Sequence, residues 1–87
     1  MSRCKTYCFP YGNNEAILVT QSRISLYSYR KLVATYNNEK QALIDSELWD
    51  YSENTTKSII KFLEEFCDFH EVSEEMIKNI IPHTKLN

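Results

Sequence analysis

With 87 residues the chain has room for one small domain and no second. A hydrophobic content of 43% supports a modest core, while the longest apolar run, Ala16-Ile17-Leu18-Val19, falls far short of the roughly 18 residues of a membrane span. A net charge of −2 argues against general nucleic-acid binding by the whole chain, and a single glycine, Gly12, excludes every glycine-rich phosphate loop.

In chain order, Met1-Ser2-Arg3-Cys4-Lys5 lacks the apolar segment of a secretory signal, so a cytoplasmic location is expected. Three cysteines, an odd number, then predict thiols rather than a disulfide framework. Residues 4–9 read as a short aromatic strand ended by Pro10. Gly12-Asn13-Asn14 reads as a turn, and residues 15–20 as a compact apolar strand. Ile24, Leu26 and Ser28 alternate with Ser25, Tyr27 and Tyr29, and Leu32, Ala34 and Tyr36 alternate with Val33 and Thr35. This period of two is a strand signal, with Arg30-Lys31 expected as a bulge. Asn37-Asn38-Glu39-Lys40 suits a hairpin loop, and residues 42–45 return as a further strand. With one glycine available, positive φ is expected at the two Asn-Asn pairs.

After Ser52 the period changes. Ile59, Phe62, Leu63 and Phe66 share one helical face, and Ser52 or Asn54 can cap its start. A second helix is predicted from Ser73, with Val72 and Ile77 as a hydrophobic staple. Met76, Ile77, Ile80 and Ile81 form its inner side, Pro82 stops it, and residues 83–87 read as a tail. Strands followed by helices predict an α+β domain over residues 1–87, an antiparallel sheet of three to five strands with two C-terminal helices packed on it.

Little in the chain points to catalysis, and no catalytic residue, metal or cofactor is expected. Cys4, Cys8, Cys67 and His70 are the residue types of a zinc site, but their spacing matches no well-known zinc module, and Cys67 beside the core stripe reads as a small hydrophobe. Asp45, Glu47 and Asp50 cluster where a strand ends, a pattern that a solvated loop also produces.

Charge is distributed unevenly. Residues 1–40 hold six bases and two acids, and residues 41–87 hold four bases and ten acids. Glu64, Glu65, Asp68, Glu71, Glu74 and Glu75 surround the junction of the two predicted helices, with no Lys or Arg among residues 62–77. Glu74 and Glu75 suit a helix N-terminus, whereas Glu64, Glu65 and Asp68 stand where the helix dipole disfavours acids. Such a local conflict can mark an interaction surface, here one suited to a basic partner. The alternative candidate is Arg23, Tyr27, Tyr29, Arg30 and Lys31, bases interleaved with aromatics that could hold nucleic acid.

Across residues 24–66 the chain resembles a small domain of unknown function common in bacteriophages and mobile elements. Ser28-Tyr29, Val33-Ala34, Trp49-Asp50-Tyr51-Ser52, Thr55-Thr56-Lys57 and Phe62-Leu63 carry the resemblance. It implies a hairpin packed on a short helix and a phage setting, and it brings no catalytic residues. By analogy with small phage proteins, it implies a non-enzymatic inhibitor of a host defence or nucleic-acid-handling enzyme, of the anti-CRISPR type. The partner would be a host or phage protein, and a homodimer is compatible with so small a core.

Overall fold

The computed structural model describes residues 7–86. Five strands form an antiparallel meander: β1 (Tyr7–Pro10), β2 (Glu15–Val19), β3 (Arg23–Ser28), β4 (Lys31–Asn37) and β5 (Ala42–Asp45). Two helices follow, α1 (Glu53–Phe66) and α2 (Glu74–Asn79), and then β6 (His83–Thr84) joins β5 in parallel. The α+β class agrees with the order of elements, but the sheet has six strands and is mixed. The difference comes from the supposed tail. The Ile44 amide donates to the Pro82 carbonyl at 3.0 Å, and the Ser46 amide to the Thr84 carbonyl at 2.9 Å. The expected strand start at Cys4 lies outside the described residues. Pro10 belongs to β1, an edge strand, where its missing N–H breaks no ladder bond.

Register places the core. Phe9, Ile17, Leu26, Ala34 and Ile44 stand opposite one another across five strands, and Val19, Ile24, Tyr36 and Ala42 continue the same face. Ile17, Leu26, Ala34 and Ile44 have no exposed surface, and neither do Ile59, Phe62 and Leu63 of α1 or Ile77 of α2. These residues form one hydrophobic cluster, with α1 lying on β3 and β4. α2 starts at Ser73 as its sequence predicts, and of the two candidate caps for α1 the fold uses Ser52. The Ser52 hydroxyl accepts the Thr55 amide at 3.1 Å, and the Ser73 hydroxyl accepts the Met76 amide at 3.4 Å. Ile80 departs from expectation: α2 ends at Asn79, and Ile80 is 67% exposed instead of facing inward.

The turns differ most from the reading of the sequence. Positive φ falls at Tyr29 (52°), Arg30 (66°), Lys40 (62°), Asp68 (60°) and Glu71 (51°), and at no asparagine among the described residues. Asn37 works through its side chain instead, its Oδ1 accepting the amides of Glu39 at 2.9 Å and Gln41 at 3.1 Å. Gly12 serves space, because a Cβ there would collide with a Glu15 carboxylate oxygen. Arg30-Lys31 is not a bulge. Tyr29 and Arg30 form a two-residue turn between the paired Ser28 and Lys31, with positive φ at both positions as a type I′ turn requires. The bulge lies further in, where pairing passes from Leu26–Ala34 to Tyr27–Leu32 and leaves Val33 extra, so that Val33 and Ala34 are both buried.

Tyr11 ties the β1–β2 turn to α1. Its hydroxyl donates to Glu65 at 2.7 Å, and the Lys61 ammonium sits 4.7 Å from its ring centroid. Burial, reinforced by the Glu65 carboxylate, pushes its phenol well above the usual 10.0. Burial, reinforced by Asp68, pushes the Cys67 thiol from 9.0 up to about 12. Both groups are held neutral in the fold and ionise more easily when unfolded. The Cys67 contribution is therefore complete below pH 9.0 and is lost as pH climbs through about 12, while that of Tyr11 begins to fall only above pH 10.0. A series of thermal melts should show Tm falling from that lower limit upward, with Cys67→Ala removing the first part of the fall. An unchanged alkaline profile in Cys67→Ala would contradict this account.

Candidate functional site

The sequence-predicted acids are all exposed and lie around the α1–α2 junction, but they differ in role. The Glu64 carboxylate accepts the Val72 amide at 3.0 Å and so anchors the chain entering α2. Glu65 accepts the Tyr11 hydroxyl. The unfavourable position of these two acids near the end of α1 is thus offset locally, and the dipole conflict by itself marks no site. Glu75 accepts from the Asn79 side chain at 3.1 Å within α2. Asp68, Glu71 and Glu74 have no hydrogen-bond or ion-pair partner among the described residues.

The path of the connection explains how two of these three are presented. After Cys67 the chain turns at Asp68, and the Phe69 amide returns to the Leu63 carbonyl at 3.3 Å. Asp68 and Glu71 both take positive φ, at roughly 1 kcal/mol each for a residue with a Cβ. Strain of this kind gathers at functional segments. Beside the connection runs a groove of about 380 Å³ between the end of α2 and β5. Phe69, Ile80, Pro82 and Leu43 line it, with Lys40 at its border. Ile80 is the most exposed large hydrophobic residue among those described. Among the described residues Lys40 is the only charged one that lines it; Asp68 and Glu71 lie one and two residues from Phe69 in the chain. The sequence placed Ile80 on the inner face of α2, because helical periodicity cannot show that the helix stops one residue earlier. Phe69 carried no signal outside an amphipathic pattern.

The basic and aromatic set is divided by the fold. Arg23 opens β3 at the end remote from the turn, and Tyr27 pairs with Ala16 and Leu32 on the face opposite Leu26. Tyr29, Arg30 and Lys31 remain together at the hairpin tip, joined by Tyr51, whose ring centroid lies 5.4 Å from that of Tyr29. Asp45 is structural and 1% exposed; its carboxylate accepts the amides of Glu47, Leu48 and Leu86. Cys67 is buried, Cys8 is exposed on β1, and Cys4 lies outside the described residues. Among the described residues no group of three or more His, Cys, Asp or Glu is arranged to hold a metal ion.

A buried chain of hydroxyls links the hairpin to α1. Ser28 donates to Glu15 at 3.2 Å, Ser28 and Thr55 lie 2.9 Å apart, and Thr55 and Ser52 3.0 Å apart. Each hydroxyl has one hydrogen. With that of Ser28 given to Glu15, Thr55 must donate to Ser28 and Ser52 to Thr55. The polarity of the whole chain follows from the single carboxylate at its end.

No helix among the described residues is long and apolar enough to cross a membrane. No protein-family model matches the chain, and no curated protein or solved structure shows a significant match to it.

Proposed function

We propose that this protein is a non-enzymatic binding protein that engages a basic protein surface through the α1–α2 junction. One conjunction carries the reading: Asp68, Glu71 and Glu74, without hydrogen-bond or ion-pair partners among the described residues, flank Phe69 in the chain, and Phe69 lines a groove that also exposes Ile80. The apolar residues supply the desolvated centre, and the acids supply orientation and encounter rate. A host enzyme whose basic groove handles nucleic acid has the complementary charge, and the phage-type resemblance of residues 24–66 favours an inhibitor of such an enzyme, of the anti-CRISPR kind.

Glu71, Glu74 and Ile80 are all exposed, so substitution shifts stability by no more than about 0.5 kcal/mol at Glu71 and Ile80 and by about 0.3–1 kcal/mol at Glu74, an acid in the first turn of α2. Glu71→Lys with Glu74→Lys should weaken partner binding roughly tenfold and reduce its dependence on salt. Ile80→Ala should weaken it comparably without changing the salt slope. Affinity capture from a host lysate, quantified for wild type and both variants across a salt series, measures this. Equal capture by all three proteins would sink the assignment to this junction.

A further inference from the structure

Both helices lie against the face of the sheet that carries Ile17, Leu26, Ala34 and Ile44. Strand alternation turns Ala16, Leu18, Ser25, Tyr27, Thr35 and Leu43 to the opposite face. There the register sets Leu18, Ser25, Thr35 and Leu43 side by side across four strands. Ala16, Leu18, Tyr27 and Leu43 are half-buried, with no helix above them.

This outer face carries no charge at its centre. The chain holds ten Lys or Arg and twelve Asp or Glu, and none occupies these six positions. Charge stands at the margin instead. Arg23 opens β3 and Glu39 lies in the β4–β5 turn, and both line a shallow groove of about 350 Å³ that reaches Thr35 and Leu43. Asp45, outward by alternation on β5, is committed to the amides of Glu47, Leu48 and Leu86. A solvated antiparallel face ordinarily sets polar side chains toward water. Depletion of charge from the centre of a patch, with an aromatic ring kept there and a polar rim around it, is the compositional mark of an interface.

The centre also holds two idle hydroxyls. Ser25 and Thr35 are 3% and 5% exposed, and neither hydroxyl has a hydrogen-bond partner among the described residues. No fully buried side-chain oxygen among those residues lacks a partner, so both of these oxygens reach the surface of the outer face.

We infer that the outer face is the interface of a homodimer in which two copies pack sheet against sheet. A two-fold interface brings each group near its own copy, so its centre must be self-complementary. Methyl groups, an aromatic ring and hydroxyls that both donate and accept meet that condition, whereas a cluster of like charges would repel its mate. A basic partner of the kind proposed for the α1–α2 junction finds no acid here to pair with. Area fits the same occupant. Five strands about 4.8 Å apart and about 20 Å long give roughly 500 Å² of plane per copy, or about 1,000 Å² for the pair, which reaches the lower limit of a specific interface. The dimer is therefore weak, with a Kd of roughly tens to hundreds of micromolar. The helices stay on the outside, so each dimer displays two α1–α2 junctions. Leu43 alone is shared with the groove beside Ile80.

Sedimentation equilibrium of the full chain tests this over about 10 μM to 1 mM, a range that brackets such a Kd. The mass should climb from 10.3 kDa toward twice that value. In a mixture of ¹³C-labelled and unlabelled chain, isotope-filtered NOEs should connect the Leu18 methyls of one copy to the outer face of the other. None should involve Leu26 or Leu63, which have no exposed surface. Leu18→Thr and Tyr27→Thr, which retain strand propensity, should each weaken the dimer at least about tenfold, because a two-fold axis counts every substitution twice. Ile80→Ala should leave the dimer unchanged, and so should Glu71→Lys with Glu74→Lys. A chain that sediments as a monomer at the top of the range would overturn the inference. So would intermolecular NOEs that avoid Leu18, or loss of the dimer in Ile80→Ala, which would assign association to the groove. Lysate capture reports on the junction alone, so its failure with the dimer intact removes the function proposed above and leaves this interface standing.

Discussion

Asp45→Ala is expected to lower stability by about 3 kcal/mol and to release β6 from the sheet. One Asp45 oxygen accepts the Glu47 and Leu48 amides at 2.8 and 2.9 Å, and the other accepts the Leu86 amide at 2.9 Å. The residue is 1% exposed. Hydrogen bonds to a charged group contribute about 1.5–3 kcal/mol each, and removal of the acceptor lets the loop amides rehydrate in part, so the loss is smaller than their sum. The carboxylate both shapes the β5–α1 loop and holds the residues after β6. Urea unfolding gives the stability change. Hydrogen exchange gives the location, because the Ile44 and Ser46 amides, bonded to Pro82 and Thr84, should lose protection ahead of the rest of β5. A change below about 0.5 kcal/mol, the range of an ordinary surface substitution, would refute this role.

Phe62→Ala is expected to be more severe, costing about 3–5 kcal/mol. Phe62 has no exposed surface, and its ring centroid lies 5.7 Å from that of Phe66. It stands among Leu26, Ala34 and Ile59 in the central cluster, where α1 meets β3 and β4. At roughly 0.05–0.15 kcal/mol per residue, 87 residues give a stability of about 4–13 kcal/mol, so that loss removes a large part of it. Near-UV circular dichroism at 25 °C should show the tertiary signal reduced or absent. Phe66→Ala, at a partly exposed position, should retain it. Equal effects of the two would mean that the cluster is not centred on Phe62.

The candidate interface was only partly legible in the sequence. Net negative charge across residues 62–77 located the acids, but charge counting gave all six the same standing. The fold separates Glu64 and Glu65, bonded to Val72 and Tyr11, from Asp68, Glu71 and Glu74. The groove was invisible, because Ile80 and Leu43 come from elements 37 residues apart in the chain and meet only through folding. The aromatic pair at the hairpin tip was hidden for a similar reason. Tyr51 belongs to the loop before α1 and Tyr29 to the β3–β4 turn.

Local pattern by itself determined β2 to β5, α1 and the Ser73 cap, and narrowed the α1 cap to Ser52 or Asn54. Alternation, amphipathic spacing and an N-cap hydroxyl act within a few residues, so they are present in the string of residues as they are in the fold. Tertiary structure decided the rest. Two residues, His83 and Thr84, carry no strand pattern; they become β6 because β5 offers unpaired backbone groups and Asp45 accepts Leu86. Tyr29 and Arg30 are poor turn residues. They are held at positive φ because Ser28–Lys31 pairing and burial of Leu26 and Ala34 leave the chain two residues in which to reverse. Gly12 was legible as a turn residue, but its reason is not: the space it leaves is occupied by the carboxylate of Glu15, buried at the far end of a hydroxyl chain that begins on α1.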